Sequence, residues 1–395
     1  MPRIATTLDR REFLRVGAAG LLTFLCGGLT ACKGRTVGDG GSITDLGPLQ
    51  PPDANGVMLP PGFTSRIVAR SSQIPAAGGY TWHSAPDGGA TFSTPGGGWI
   101  YVSNSEMDSG TGGVGALVFD STGSLIDSYS ICSGTSRNCA GGKTPWNTWL
   151  TCEENGAAGQ VYECDPFGVN SPVVHPAMGS FNHEAVAVDE SRQQLFLTED
   201  HPSGGFYRYT PTMWHDLSAG LLEIAEVTVV TPDEGLVTWH TIADPDGNPT
   251  ATRSQVGVSA AFNGGEGVAV YGDLVYFVTK GDNKVWRYNA VTHALTVLYD
   301  KATSPTPILS GVDNIVISNS GDVIVAEDGG DLEIVGLSPE GDVVSVLKLS
   351  GHGSSEITGP AFDPTYERMY FSSQRGTTGN SADGITFEIT GPFDF

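Results

Sequence analysis

Glu266-Gly-Val-Ala-Val270, then Leu274-Val-Tyr-Phe-Val-Thr-Lys280, then Lys284-Val-Trp-Arg-Tyr288 are three short β-branched and aromatic runs, each closed off by Gly, Asp or Asn. The same succession recurs on both sides. Upstream lie Glu184-Ala-Val-Ala-Val188, Gln194-Leu-Phe-Leu-Thr-Glu199-Asp200 and Gly205-Phe-Tyr-Arg-Tyr209. Downstream lie Asp313-Asn-Ile-Val-Ile317, Asp322-Val-Ile-Val-Ala-Glu327-Asp328 and Leu332-Glu-Ile-Val335. A last copy runs from Gly359-Pro-Ala-Phe-Asp363 through Met369–Arg375 to Ile385–Ile389. Repeat starts at 266, 313 and 359 are 47 and 46 residues apart, the period of a four-stranded propeller blade. The 82 residues from 184 to 266 fit one blade with an insertion around 213–264. Trp99–Asn104 and Thr148–Glu154 read as second strands of two more blades. The reading is all-β: a β-propeller, six blades, with the Phe63–Arg70 strand closing the ring against the last blade.

Composition agrees. The 395 residues hold 54 Gly and 24 Pro, which supply many tight turns, and no segment shows helical periodicity. The formal net charge of −24 disfavours nucleic acid and anionic lipid as partners. Residues 1–31 read as a twin-arginine export signal: Asp9-Arg10-Arg11-Glu12-Phe13-Leu14 precedes an apolar stretch ending Leu29-Thr30-Ala31-Cys32. That ending resembles a lipobox, with Cys32 as the lipid-modified residue, so the expected place is the periplasm or cell surface, on a lipid anchor. Residues 32–61, rich in Gly, Pro, Asp and Thr, read as a flexible tether, and 62–395 as the propeller domain. A monomer is the default expectation.

Blade geometry gathers charge. The first two strands of a blade are antiparallel, so the start of one and the end of the next reach the same mouth of the channel. Inner-strand starts supply Glu184, Glu266 and Asp313. Second-strand ends supply Asn104, Glu106, Glu153, Glu154, Glu199, Asp200, Lys280, Glu327, Asp328, Gln374 and Arg375. Crowded carboxylates repel and raise one another's pKa unless cations stand among them, and oxygen-rich sets suit Ca²⁺. Four cysteines follow Cys32, namely Cys132, Cys139, Cys152 and Cys164, and in an exported chain an even count reads first as two disulfides, with three possible pairings.

The string at 138–154, Asn-Cys-Ala-Gly-Gly-Lys-Thr-Pro-Trp-Asn-Thr-Trp-Leu-Thr-Cys-Glu-Glu, closely resembles the signature of PhoX-type alkaline phosphatases. Phe181–Asp189, Asp313-Asn-Ile315 and Leu59-Pro-Pro-Gly-Phe63 match as well. The resemblance implies an exported propeller that hydrolyses small phosphate esters at a mixed Ca²⁺ and Fe³⁺ cluster. Carried over, Cys139 is the iron thiolate with Glu154 nearby; Glu184, Glu266 and Asp313 are metal carboxylates; and Asn104 is a calcium ligand. Glu106, a second-strand end at the same mouth, is counted with the metal carboxylates. The position two before Glu266, where the pattern leads one to expect a phosphate-binding arginine, is Gly264; Arg375 or Lys280 would take that role. Two other readings remain open: a non-catalytic calcium-stabilised propeller that binds a surface partner, and a calcium-dependent lactonase or esterase.

Overall fold

The computed structural model describes residues 41–76 and 78–395, so the expected export signal and Cys32 lie outside the described residues. Regular structure among them is strand, with a few three-residue 3₁₀ turns. Six inner strands follow one another round a channel: Pro86–Ser93, Gly142–Lys143, His183–Asp189, Gly265–Tyr271, Val312–Ile317 and Ile357–Phe362. Each abuts the next, and the sixth abuts the first. From each, strands meander outward to make blades one to six. Blade one is Pro86–Ser93, Trp99–Ser105, Gly112–Phe119 and Leu125–Thr135. Blades three and four share one nine-stranded sheet, because the long hairpin Asp216–Thr231/Glu234–Thr241 also pairs with Ala294–Asp300. That hairpin is the insertion anticipated between 213 and 264.

Ring closure follows the expected route. Thr64–Arg70 is the outer strand of blade six, in register Thr64↔Thr390 to Arg70↔Ile385. The tether expectation fails over its described part. Ile43 is fully buried in the core of blades five and six, and Val57–Met58 adds a fifth strand to blade five beside Val343–Leu349. Isolated apolar residues in a Gly/Pro-rich stretch are easy to overlook; here Ile43, Leu46 and Leu59 remove enough surface from water to fix the chain.

Blades are buried on both faces, so their strands read as unbroken apolar runs; all seven residues of Trp99–Ser105 are buried. Aromatic stacks fill the wedges, with Tyr370 lying 5.0 Å from Tyr101 and 5.1 Å from Phe119 across the closing interface. At the channel the blades come too close for side chains. A Cβ on Gly88 would sit 1.9 Å from the Ala140 carbonyl oxygen, and one on Gly142 would sit 1.7 Å from that of Val186. Glycine there is a packing requirement between adjacent inner strands.

Candidate metal centre

A repeated backbone device builds the site. In every blade one paired position joins the start of the inner strand to the end of the second: Pro86↔Ser105, Asn138↔Glu153, His183↔Glu199, Gly265↔Thr279, Val312↔Glu327 and Ile357↔Ser373. The residue after each member turns toward the channel mouth. That rule yields Asp87/Glu106, Cys139/Glu154, Glu184/Asp200, Glu266/Lys280 and Asp313/Asp328. In the first, third, fourth and fifth blades the register then shifts, two inner-strand residues opposing one on the partner strand. Such bulges re-aim a side chain that regular alternation would send elsewhere. Blade six departs: Thr358 occupies the register position and donates to the Pro86 carbonyl, while Glu356 and Arg375 reach in from the flanking loops.

The result is a cavity of about 150 Å³ whose lining includes nine carboxylates, one thiol and three cations. The carboxylates are Asp87, Glu106, Glu154, Glu184, Asp200, Glu266, Asp313, Asp328 and Glu356; the cations are Arg137, Lys280 and Arg375. Every cation is already engaged. Arg137 pairs with Glu154, Arg375 lies 2.7 Å from Glu356, and Lys280 Nζ stands 3.0 Å from Glu266 and 3.1 Å from Asp328. Burial, reinforced by the neighbouring carboxylates, drives the acids Asp87, Glu184 and Glu266 far above the ordinary range. Burial also lifts Asp313 and Glu154 to about 7, although Lys280 and Arg137 pull the other way. Asp328 is held low: burial opposes this, but a hydrogen bond from Glu356 and the Lys280 ammonium outweigh it. The Cys139 thiol is pushed up, first by burial and then by Asp87 and Glu184. A metal-free site therefore holds protons where cations would otherwise sit.

The donor set fits metal. Glu106/Cys139/Glu154, Asp87/Glu106/Glu356, Glu184/Glu266/Asp313 and Asp313/Asp328/Glu356 each bring three ligand atoms within 4.8 Å of one another. Three of these groups are all oxygen, as a hard cation prefers, and one adds sulfur, as iron tolerates.

Of the residues expected from sequence, Glu106, Cys139, Glu154, Glu184, Glu266, Lys280, Asp313 and Arg375 line the cavity. Asn104 does not. It opposes the Asp87–Gly88 bulge, inside the strand, where its carbonyl accepts from Trp149 Nε1 at 2.8 Å and its amide donates to the Cys139 carbonyl. It braces the cysteine from behind, outside the cavity where the metal ligands were expected. Glu153, Glu199 and Glu327 also leave the mouth. Ser136 N–H binds the first; Gly205 N–H and Tyr207 hydroxyl bind the second; Ser310 and Glu333 N–H bind the third. Gln374 stands behind the ring and donates to both Asp87 and Glu106 at 2.8 Å. His183 bonds the Gly179 carbonyl and stacks on Phe181, and neither it nor His201 lines the cavity. Sequence reasoning missed Asp87, Arg137 and Glu356. Asp87 sits in Pro86-Asp87-Gly88, which reads as a turn, and Glu356 in a Gly/Ser-rich loop; only the blade register reveals the first.

A β-propeller with an acidic, thiol-containing ring at one mouth is thus the class that fold and site define. The family model of the alkaline phosphatase PhoX matches residues 111–284 and 272–377, and the chain belongs to that family. Among solved structures, the PhoX of Pseudomonas fluorescens, in complex with vanadate as a transition-state analogue, superposes with a TM-score of 0.75 at 16% identity, covering 89% of this chain and 98% of that one. A gluconolactonase from Xanthomonas campestris superposes with a TM-score of 0.50 at 12% identity, covering 89% and 99%. No curated protein matches.

Proposed function

We propose that this chain is a metal-dependent phosphatase that hydrolyses small phosphate esters at the channel mouth. The observation that carries the reading is the ring of nine carboxylates and Cys139 in one buried cavity, in a member of the PhoX family. Such a ring is stable when cations neutralise it. Glu184, Glu266, Asp313, Asp87, Glu356 and Asp328 would hold Ca²⁺, while Cys139 with Glu106 and Glu154 would hold Fe³⁺. Bound there, the metals would polarise the phosphoryl oxygens and supply an activated oxygen nucleophile. The vanadate bound to the Pseudomonas relative is in keeping with a phosphoryl-transfer site. Arg375 and Lys280 face the same cavity and are the side-chain groups proposed to receive the ester's charge. Gly264 needs no arginine in this scheme; its φ of +69° suits glycine and leaves the approach to Asp200 open.

The partner is then a small phosphate ester, and we infer export by the twin-arginine route with a lipid on Cys32. The test is metal analysis and turnover on one natively exported preparation. Iron with calcium, and hydrolysis of a chromogenic phosphate monoester inhibited by vanadate, are the expected results. Calcium alone with lactone or carboxyl-ester turnover would replace this reading with the lactonase one. Bound metal with no turnover on phosphate mono- or diesters would leave a binding propeller.

A further inference from the structure

Cys132 and Cys164 are buried cysteines outside the metal centre. Cys132 lies in the outermost strand of blade one, paired with Val114; Cys164 ends the third strand of blade two, paired with Trp149. Both side chains are buried in one cluster, among Ile100, Val114, Ala116 and Trp149, where the two blades join. The other two cysteines are placed apart in function. Cys139 opens into the acidic cavity, 3.8 Å from Asp87 Oδ2, whereas Cys152 packs among Leu150, Val161 and Val186.

We propose that Cys132 and Cys164 form a disulfide that staples blade one to blade two, leaving Cys139 free as a thiol. Thiol–disulfide exchange with a glutathione or protein disulfide is the chemistry required. Cys132, 6% exposed against 0% for Cys164, is the entry point. Its thiolate attacks the oxidant and forms a mixed disulfide, expelling one thiolate. Cys164 then loses its proton and attacks the Cys132 sulfur, expelling the second. Two protons leave the pair, and its two electrons reduce the oxidant's disulfide to two thiols. The neighbouring Cys164 holds the Cys132 thiol below its ordinary range, which favours this order. The bridge closes a loop over the 31 intervening residues, which include Cys139 and Glu154. Constraining that loop in the unfolded chain stabilises the segment that carries the thiol ligand.

The experiment treats the folded full-length protein with oxidised glutathione, quenches in acid, unfolds, alkylates, and maps peptides by mass spectrometry. The expected result is one linked pair, Cys132 with Cys164, and alkyl label on Cys139 and Cys152. Label on all four, or a link that includes Cys139 or Cys152, overturns the proposal. A second measurement compares unfolding midpoints with and without reductant. The oxidised wild type should lose a few degrees on reduction while the double variant Cys132→Ser/Cys164→Ser does not; equal sensitivity in both overturns it as well.

Discussion

Lys280 Nζ stands 3.0 Å from the Glu266 carboxylate, and it is the basic member of the paired strand positions that otherwise supply acids and one thiol in the first five blades. Its counterparts are Glu106, Glu154, Asp200 and Asp328. The ammonium neutralises Glu266 and Asp328 together, which a metal ion would otherwise do, so blade four contributes its own counter-charge to the ring.

That relationship predicts a stability effect dependent on metal. Lys280→Met removes the cation and leaves two crowded acids. Because the lysine is about one-third exposed, the expected loss in metal-free protein is roughly 1–3 kcal/mol, less than for a wholly buried pair. Denaturant unfolding with and without calcium would check it: added calcium should shrink the difference.

Chelation should make stability depend on pH in a definite sense. Asp313 and Glu154 titrate near 7 in the metal-free fold, against ordinary values of 3.8 and 4.5. Groups raised on folding bind more protons in the native state, so their contribution is complete below about pH 4 and fades as pH climbs through 7. Chelated protein should therefore unfold at lower temperature at about pH 8 than at about pH 5.5, and reloading with calcium should flatten the trend. A flat profile in verified metal-free protein would count against the protonated ring.

Charge removal without change of shape tests the ring's chemistry. Glu266→Gln should lower phosphate-ester turnover by at least about a hundredfold and reduce bound calcium, with the fold intact. Glu340→Gln, on an exposed turn, serves as the control and should leave both unchanged.

For the thiol, Cys139→Ser should deplete iron while calcium is kept, because serine oxygen does not replace a thiolate at that position. Any visible absorption from iron–thiolate ligation should vanish with it. Retained iron at wild-type stoichiometry would assign the iron to other ligands.

Close approach at the channel gives a prediction free of chemistry. Gly88→Ala places a methyl 1.9 Å from the Ala140 carbonyl oxygen, a backbone atom that cannot swing aside. The expected cost is about 3 kcal/mol or more, read by denaturant unfolding.

The blade repeat was legible because a fully buried strand must be apolar along its length and must end in turn residues. Val275-Tyr-Phe-Val278 and Val323-Ile-Val-Ala326 therefore declare themselves locally. So did the acids that stand next to such runs, Glu184, Glu266, Asp313, Asp200 and Asp328. What sequence alone did not decide was direction. Glu153 and Glu154 are adjacent and chemically alike, yet one accepts from a loop N–H and the other lines the cavity, because each paired position puts only the following residue at the mouth. Asn104 fell on the wrong side of that rule by two residues. Asp87 went unnoticed because Pro86-Asp87-Gly88 looks no different from any turn, and its place in the ring appears only when the first blade is set against the others. For the cysteines, too, tertiary structure adds what spacing along the chain does not record: Cys132 and Cys164 share one buried cluster because two blades pack together.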